Sequence, residues 1–187
     1  MPPRVRQEAE WIAAAALAWG FAEATLFFIV PDVLLSWIAL DRPRRAWAAC
    51  AWAAAGAVAG GLALYLWGAS APASALGVLD HVPAISPAMC DAVGEQVRDR
   101  GVGAVFLGPI LGTPYKIYAV QAGAAHLGLG PFLLASLPAR LVRFLLVTGL
   151  TAGICQWLKR RDPRGRRIAH AAIWTAFYAV YFAAAGW

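Results

Sequence analysis

The chain has 187 residues, of which 61% are hydrophobic and only 14% are charged, and its formal net charge is +6. Soluble globular domains carry about 25% charged residues, so this composition disfavours a soluble enzyme and predicts an integral membrane protein. The basic residues flank apolar segments, which argues against a nucleic-acid partner.

The cations cluster at a few places along the chain. Six of the sixteen lie between Lys159 and Arg167, three lie within 41–45, and two, Arg4 and Arg6, lie near the start. Basic residues beside spanning segments mark cytoplasmic loops, so we predict a cytoplasmic N-terminus. Contact with anionic headgroups is an expected secondary role of these loops.

The first apolar segment, Trp11–Leu40, has an awkward length. Its 30 residues are too many for one span of ~20 and too few for two. Pro31 interrupts it, because proline removes a backbone donor and clashes with the preceding turn. Since arginines lie on both sides, we predict a re-entrant hairpin that opens to the cytoplasm. The rival interpretation is a full span over 11–30 followed by an outside loop, which would put three arginines outside.

The next segment, Ala46–Trp67, has 22 residues without a charge and is predicted to cross outward. The polar stretch 68–101 then lies outside and contains a short amphipathic helix, predicted over Ser86–Arg100. The apolar segment Val102–Leu129 follows. It is interrupted at Gly112 and Pro114, which predicts a second hairpin entering from the outside.

The C-terminal part completes the predicted layout. The segment Pro131–Cys155 crosses inward, and Ile168–Trp187 crosses outward last. Pro31 precedes Gly68 by 37 residues and Pro114 precedes Gly149 by 35, a similar spacing that favours a duplication. The predicted fold is therefore an all-α membrane protein with two opposed re-entrant hairpins in an inverted repeat, plus three transmembrane helices.

Four regions follow from this layout of a multi-pass cell (inner) membrane protein whose C-terminus lies outside. They are a cytoplasmic N-terminus (1–10), a membrane domain (11–155), a basic cytoplasmic loop (156–167) and a C-terminal transmembrane helix (168–187).

Five ionisable residues fall inside the apolar segments: Glu23, Asp32, Lys116, Arg140 and Arg143. A charge at the centre of a spanning helix costs roughly 2.5–3.5 kcal/mol on insertion scales. The five side chains are therefore expected to face the interior of the helix bundle or a wet cavity, and to be partly paired.

These residues divide into two predicted roles. Arg140 and Arg143 are three positions apart and share a helix face, so with Lys116 they are predicted to bind an anion. Guanidinium groups match phosphate oxygens in bidentate fashion. Glu23 and Asp32 are predicted to couple transport to protons or to gate the site, since a buried carboxyl group beside cations can exchange a proton.

Structural alternatives exist for single residues of the set. Lys116 could reach a membrane interface, Asp32 could cap a helix starting at Val33, and Arg143 could pair with Glu23 for stability alone. No serine elbow, paired histidines or phosphate-binding glycine loop occurs in the sequence, and the three cysteines lack metal-like spacing. We therefore expect no catalytic residues, no metal and no cofactor.

The chain also resembles the DedA family, also called the VTT-domain or SNARE-associated Golgi protein family, in its YqaA-type branch. The resemblance covers about residues 20–150 and is carried by the segments 21–35, 41–47, 56–68, 113–123 and 132–144. It implies two opposed hairpins and movement of polyprenyl phosphates or phospholipids between leaflets, in some members with the proton gradient.

The family's functional acids map onto Glu23 and Asp32, and its basic positions onto Lys116, Arg140 and Arg143. The chain departs from the family pattern at Gly108, where a basic residue usually precedes the second break.

The sequence thus predicts a lipid transporter of the flippase type, and not an enzyme. Its expected partners are membrane lipids with a phosphate headgroup, while proton coupling and a homo-oligomeric state are left open. The alternative is a membrane scaffold in which the buried ion pairs only hold the hairpins together.

Overall fold

The structure is a computed structural model that describes residues 3–157 and 163–184. Part of the predicted basic loop (158–162) and the end of the last predicted crossing (185–187) lie outside the described residues. Every regular element in the described part is an α-helix. The helices are α1 (Pro3–Thr25), α2 (Asp32–Asp41), α3 (Pro43–Ser70), α4 (Pro72–Leu79), α5 (Pro87–Arg100), α6 (Val102–Ile110), α7 (Tyr115–Ala124), α8 (Leu129–Trp157) and α9 (Pro163–Ala184).

Within the described residues, α3 and α8 are long and apolar enough to cross a membrane. Each offers a stretch of 28 residues, which at 1.5 Å per residue spans ~42 Å and exceeds a hydrocarbon core of ~30 Å. They contain the two central predicted crossings, 46–67 and 131–155. The prediction of an all-helical protein with apolar helices of spanning length is confirmed.

Helices α1 and α3 lie side by side and run in the same direction. Near one end, Glu8 pairs with Arg45 at the start of α3. Further along, a Cβ added to Gly56 would collide with the carbonyl group of Leu17, and one added to Gly60 would lie 2.7 Å from another α1 carbonyl oxygen. The small residues of α3 therefore allow close backbone approach, as in membrane helix pairs.

The first break lies between α1 and α2. Helix α1 ends at Thr25, and Pro31 is the N-cap of α2, so the non-helical residues are 26–31. Helix α1 thus ends six residues before Pro31, so the proline marks the end of the break and not its beginning. Helix α2 then returns toward the start of α3, so the chain reverses about two-thirds of the way along α3.

The second break, 111–114, separates α6 from α7. Gly112 has a φ of +106°, a backbone conformation that favours glycine, and Pro114 is the N-cap of α7. Helix α7 packs along the C-terminal half of α3: added Cβ atoms on Gly61 and Gly68 would collide with Tyr115 and Val120, respectively. The second reversal therefore lies at nearly the same height along α3 as the first.

Helix α5 precedes this region and occupies the predicted position. It covers Pro87–Arg100, and the Ser86 hydroxyl accepts a hydrogen bond from the Met89 backbone N–H at 3.3 Å. The predicted helix over 86–100 is confirmed, with serine in its favoured N-cap role.

Helix α8 runs antiparallel to α3. The Phe132 ring stacks on Tyr65 at 4.8 Å toward the C-terminal end of α3, and Thr148 lies 3.2 Å from Cys50 toward its N-terminal end. Helix α9 packs against α2, and Arg167 binds Asp41 there at 2.7 Å.

Two apolar cores form on either side of a polar layer. One contains residues from the N-terminal half of α3, such as Ala49 and Ala53, and the other contains residues from its C-terminal half, such as Leu64. The buried ionisable side chains lie at the level between them.

Candidate functional site

The structure brings the five predicted ionisable residues together. Glu23, Asp32, Lys116 and Arg140 are at most 5% exposed, while the Arg143 side chain is 25% exposed. They come from α1, α2, α7 and α8, so four helices supply one polar layer. The sequence predicted that these side chains face the interior and are partly paired, and the structure contains such pairs between distant parts of the chain.

Arg140 and Glu23 form a fully buried ion pair. The Arg140 guanidinium lies 5.2 Å from the centroid of the Tyr115 ring and 4.8 Å from that of Phe144. Such contacts add cation–π stabilisation. Arg140 Nε and Nη1 have no hydrogen-bond partner among the described residues. Arg140 is therefore held in place by aromatic rings and one carboxylate.

Arg143 and Asp32 form the second ion pair. The Arg143 Nε and Nη2 atoms lie 3.0 and 2.9 Å from Asp32 Oδ2, and Nη1 donates to the Pro109 carbonyl at 3.3 Å. This one side chain therefore joins α2 and α6 to α8. Asp32 Oδ1 has no hydrogen-bond partner within 3–157 and 163–184.

Lys116 has a different kind of partner. Its Nζ atom donates to the Phe27 carbonyl oxygen at 2.8 Å, so a residue next to the second break binds the backbone of the first. No carboxylate of the described part lies within ion-pair distance of Lys116. With two carboxylates and three cations, the layer carries a formal excess of one positive charge.

Side chains also satisfy other backbone groups freed at the first break. Trp19 Nε1 donates to the Ile29 carbonyl at 2.9 Å, and the Val30 N–H donates to the Tyr178 hydroxyl at 2.9 Å. An unpaired backbone group in an apolar environment costs several kcal/mol, so these bonds stabilise the break. Sequence reasoning missed Tyr178, although it is one of two tyrosines in the mostly apolar final segment 168–187.

A cavity of about 140 Å³ lies where the two breaks meet. Three side chains of the charged residue types border it: Glu23, Lys116 and Arg143. The remaining lining comes from both breaks, from the loop before α5 and from α9: Phe28, Val30, Val82, Pro83, Ile85, Gly112, Pro114, Phe177, Tyr178 and Tyr181. Arg140 and Asp32 do not line the cavity. Each is paired with a residue that does: Arg140 with Glu23, and Asp32 with Arg143.

The structure decides among the structural alternatives for single residues. Pro31, not Asp32, is the N-cap of α2, and no side-chain cap bond is present there. Lys116 is buried rather than extended to a surface. Glu23 pairs with Arg140, so the alternative pairing with Arg143 is wrong. No group of three or more potential metal ligands occurs among the described residues.

The fold and site define a class: all-α proteins with apolar helices of spanning length and a buried, net positive layer at two helix breaks. The chain belongs to the same family as an uncharacterized protein of Haemophilus influenzae, to which it is 30% identical over 133 residues, 71% of this chain and 68% of the relative. It is also 40% identical over 55 residues, 29% of each chain, to an uncharacterized protein of Histophilus somni. No family model and no solved structure matches the chain.

Proposed function

We propose that this protein moves a lipid with a phosphate headgroup between membrane leaflets. The observation that carries this proposal is the cavity where the two breaks meet, bordered by Lys116 and Arg143 within a layer of net positive charge. An anion would balance that charge. The resemblance to the DedA family points to the same class of cargo, polyprenyl phosphates or phospholipids.

We further propose that α1–α2 and α6–α7 are re-entrant hairpins entering from opposite faces, and that α9 is a third transmembrane helix. Both breaks lie at nearly the same height, about two-thirds of the way along α3, which supports two reversals within the membrane. Large exposed apolar side chains, such as Leu134 (77% exposed) and Leu150 (65%), support lipid contact along α8. The cytoplasmic face would be the one with Arg45 and Arg167.

The two cavity cations have complementary chemistry for a phosphate. The Lys116 ammonium group offers a compact charge, and the Arg143 guanidinium can turn two N–H groups toward phosphate oxygens. Arg143 is bound to Asp32 in this structure, so Asp32 would hold it until the headgroup replaces the carboxylate. Arg140 would fix Glu23 at the cavity wall, where Glu23 could exchange a proton during transport.

Lipid translocation in proteoliposomes tests the proposal. Fluorescent analogues of a phospholipid and of a polyprenyl phosphate would be followed by quenching from outside. We expect Lys116→Gln and Arg143→Gln to lower the rate at least tenfold, because one cavity cation is lost. Arg98→Gln, an exposed cation on α5, is the matched control and should keep the wild-type rate. Equal rates for all four proteins at equal reconstitution would refute the proposal.

Proton coupling is a separate arm of that assay. An imposed pH gradient should change the wild-type rate and leave that of Glu23→Gln unchanged, because the amide cannot take up a proton. A wild-type rate that is insensitive to the gradient would refute proton coupling but would not contradict lipid transport.

A scaffold function is the second candidate, and the pairing of both carboxylates with arginines favours it. If the pairs only stabilise the fold, exchanging the charges as Glu23→Arg with Arg140→Glu should preserve both folding and the cellular phenotype. The transport proposal expects a folded protein that has lost function. The phenotype of this double variant therefore separates the two candidates.

A further inference from the structure

A second cavity lies between α2, α8 and α9, and it shares no lining residue with the cavity at the breaks. Its volume is about 290 Å³, and most of its lining is apolar, including Leu40, Val147, Ile154 and Ile173. Helix α9 packs against α2, whereas this cavity lies between α9 and α8. The cavity opens at the protein surface, and an apolar opening between two membrane helices faces lipid chains, which favours an acyl chain as its occupant.

One end of this cavity is positively charged. Arg166 lines it, and its Nε atom is buried without a hydrogen-bond partner among the described residues. Its only ion pair there is a long contact of 3.4 Å with Asp41, whose Oδ2 atom is bound by Arg167 at 2.7 and 3.1 Å. The N-terminal end of α9 adds its positive helix dipole. This end therefore favours an anion.

The other end is closed by polar groups that bind one another. The Ser36 hydroxyl lies 2.8 Å from His170 Nε2, and Trp174 Nε1 donates to Ser36 at 3.2 Å and to His170 at 3.1 Å. These groups leave little capacity for a polar ligand. Between the two ends, α9 rises ~10 Å from Arg166 to Ile173, enough for part of an acyl chain.

We infer that this cavity binds an acidic phospholipid of the leaflet on the basic side, with its phosphate at Arg166 and an acyl chain between α8 and α9. The site is separate from the cavity bordered by Lys116 and Arg143, so it does not depend on the transport proposal. An apolar cavity with one cationic end fits a lipid better than it fits a wholly polar or a wholly apolar ligand.

Native mass spectrometry of the full chain, released from detergent with added lipid, tests this inference. Phosphatidylglycerol and phosphatidylcholine with identical acyl chains are the two probes. We expect the wild type to retain phosphatidylglycerol roughly tenfold more tightly, because both lipids carry a phosphate but the choline cation of phosphatidylcholine is repelled by Arg166 and Arg167. Arg166→Gln should abolish this preference. Arg164→Gln, an exposed cation on the same helix, should preserve it.

A second pair of variants tests the position of the acyl chain. Ala169 lines the cavity, so Ala169→Phe should fill it and lower retention of both lipids, whereas Ala172→Phe, outside the lining, should not. Equal retention of the two lipids by the wild type, or an unchanged preference in Arg166→Gln, would overturn the inference. So would Ala169→Phe behaving like Ala172→Phe, or a lipid-free dimer in which a second copy fills the cavity. If Ala169→Phe does not elute as a folded protein, the comparison of Arg166→Gln with Arg164→Gln tests the inference.

Discussion

The two ion pairs of the polar layer differ in their surroundings although each joins a carboxylate to an arginine of α8. Glu23 and Arg140 are both buried, and aromatic rings fix the guanidinium on two sides. Arg143, in contrast, is a quarter exposed, borders the cavity and is also bound to a backbone carbonyl. In the transport proposal, Arg140 therefore holds Glu23 in place at the cavity wall, whereas Arg143 exchanges Asp32 for the headgroup phosphate.

Under this proposal, the loss of Arg140 should mainly affect stability, and the loss of Arg143 should mainly affect transport. A buried pair that loses one partner leaves an uncompensated charge in an apolar environment, which is strongly destabilising. A partly exposed cation beside a cavity can be rehydrated or bound by a ligand, so its loss costs the fold less. The following predictions test this separation, from the largest expected effect on stability to the smallest.

Arg140→Ala should have the largest effect. It leaves Glu23 buried and unpaired, so we expect a loss of about 3–5 kcal/mol in the free energy of unfolding. Denaturant titration of the protein in mixed micelles, followed by tryptophan fluorescence, measures it. The double variant Arg140→Leu with Glu23→Leu removes both charges and should recover most of the loss. A double variant as unstable as Arg140→Ala would contradict the buried-pair explanation.

Gly61→Ala should disturb the same pair indirectly. An added Cβ would collide with the Tyr115 ring, which packs on the Arg140 guanidinium. Overpacking of this kind costs about 1–3 kcal/mol. Gly77→Ala on α4 is the control, because no atom lies within 4 Å of its added Cβ, and there alanine should be neutral or slightly stabilising. Equal melting temperatures for the two variants would show that the contact is not restrictive.

Arg143→Gln should cost less stability than Arg140→Ala. We expect about 1–2 kcal/mol, since the side chain is partly exposed and solvent screens its charge. Its transport rate should nevertheless fall at least tenfold. Measuring unfolding and lipid translocation on the same preparation separates the effects. A stability loss equal to that of Arg140→Ala would remove the distinction between the two pairs.

Lys116→Met should have the smallest effect on the fold. It leaves the Phe27 carbonyl without this donor, but it also removes the desolvation cost of a buried cation that has no carboxylate partner among the described residues. Because these two effects offset each other, the free energy of unfolding should change by less than about 1 kcal/mol. We expect Lys116→Met to lower the rate of lipid translocation as much as Arg143→Gln does. A stable variant that retains full transport would exclude Lys116 from headgroup binding.

Much of the helical layout could be predicted from the sequence because it depends on local properties. The length of an uncharged segment limits where a spanning helix can lie, and proline and glycine interrupt helices by removing a donor or permitting unusual backbone angles. Helix α5, for example, was predicted to within one residue, although the capping role of Ser86 was not. The start of the first break was less predictable, since the helix ends at Thr25 without a proline there.

The pairing within the polar layer could not be predicted from spacing. Two carboxylates and three cations allow several combinations, and the alternative that paired Arg143 with Glu23 is wrong. The pairing follows from where α1, α2 and α8 lie against α3. That arrangement depends on contacts between residues that are far apart in the chain.

By itself, the sequence determined that this chain is helical, that its segments 46–67 and 131–155 are long enough to span a membrane, and that five ionisable residues interrupt its apolar segments. Only the tertiary structure decided that Lys116 binds the backbone of the first break and that Tyr178 binds the same segment. The physical reason is that an interrupted helix frees backbone groups at a position the sequence reveals. The side chains that satisfy those groups can come from any part of the chain.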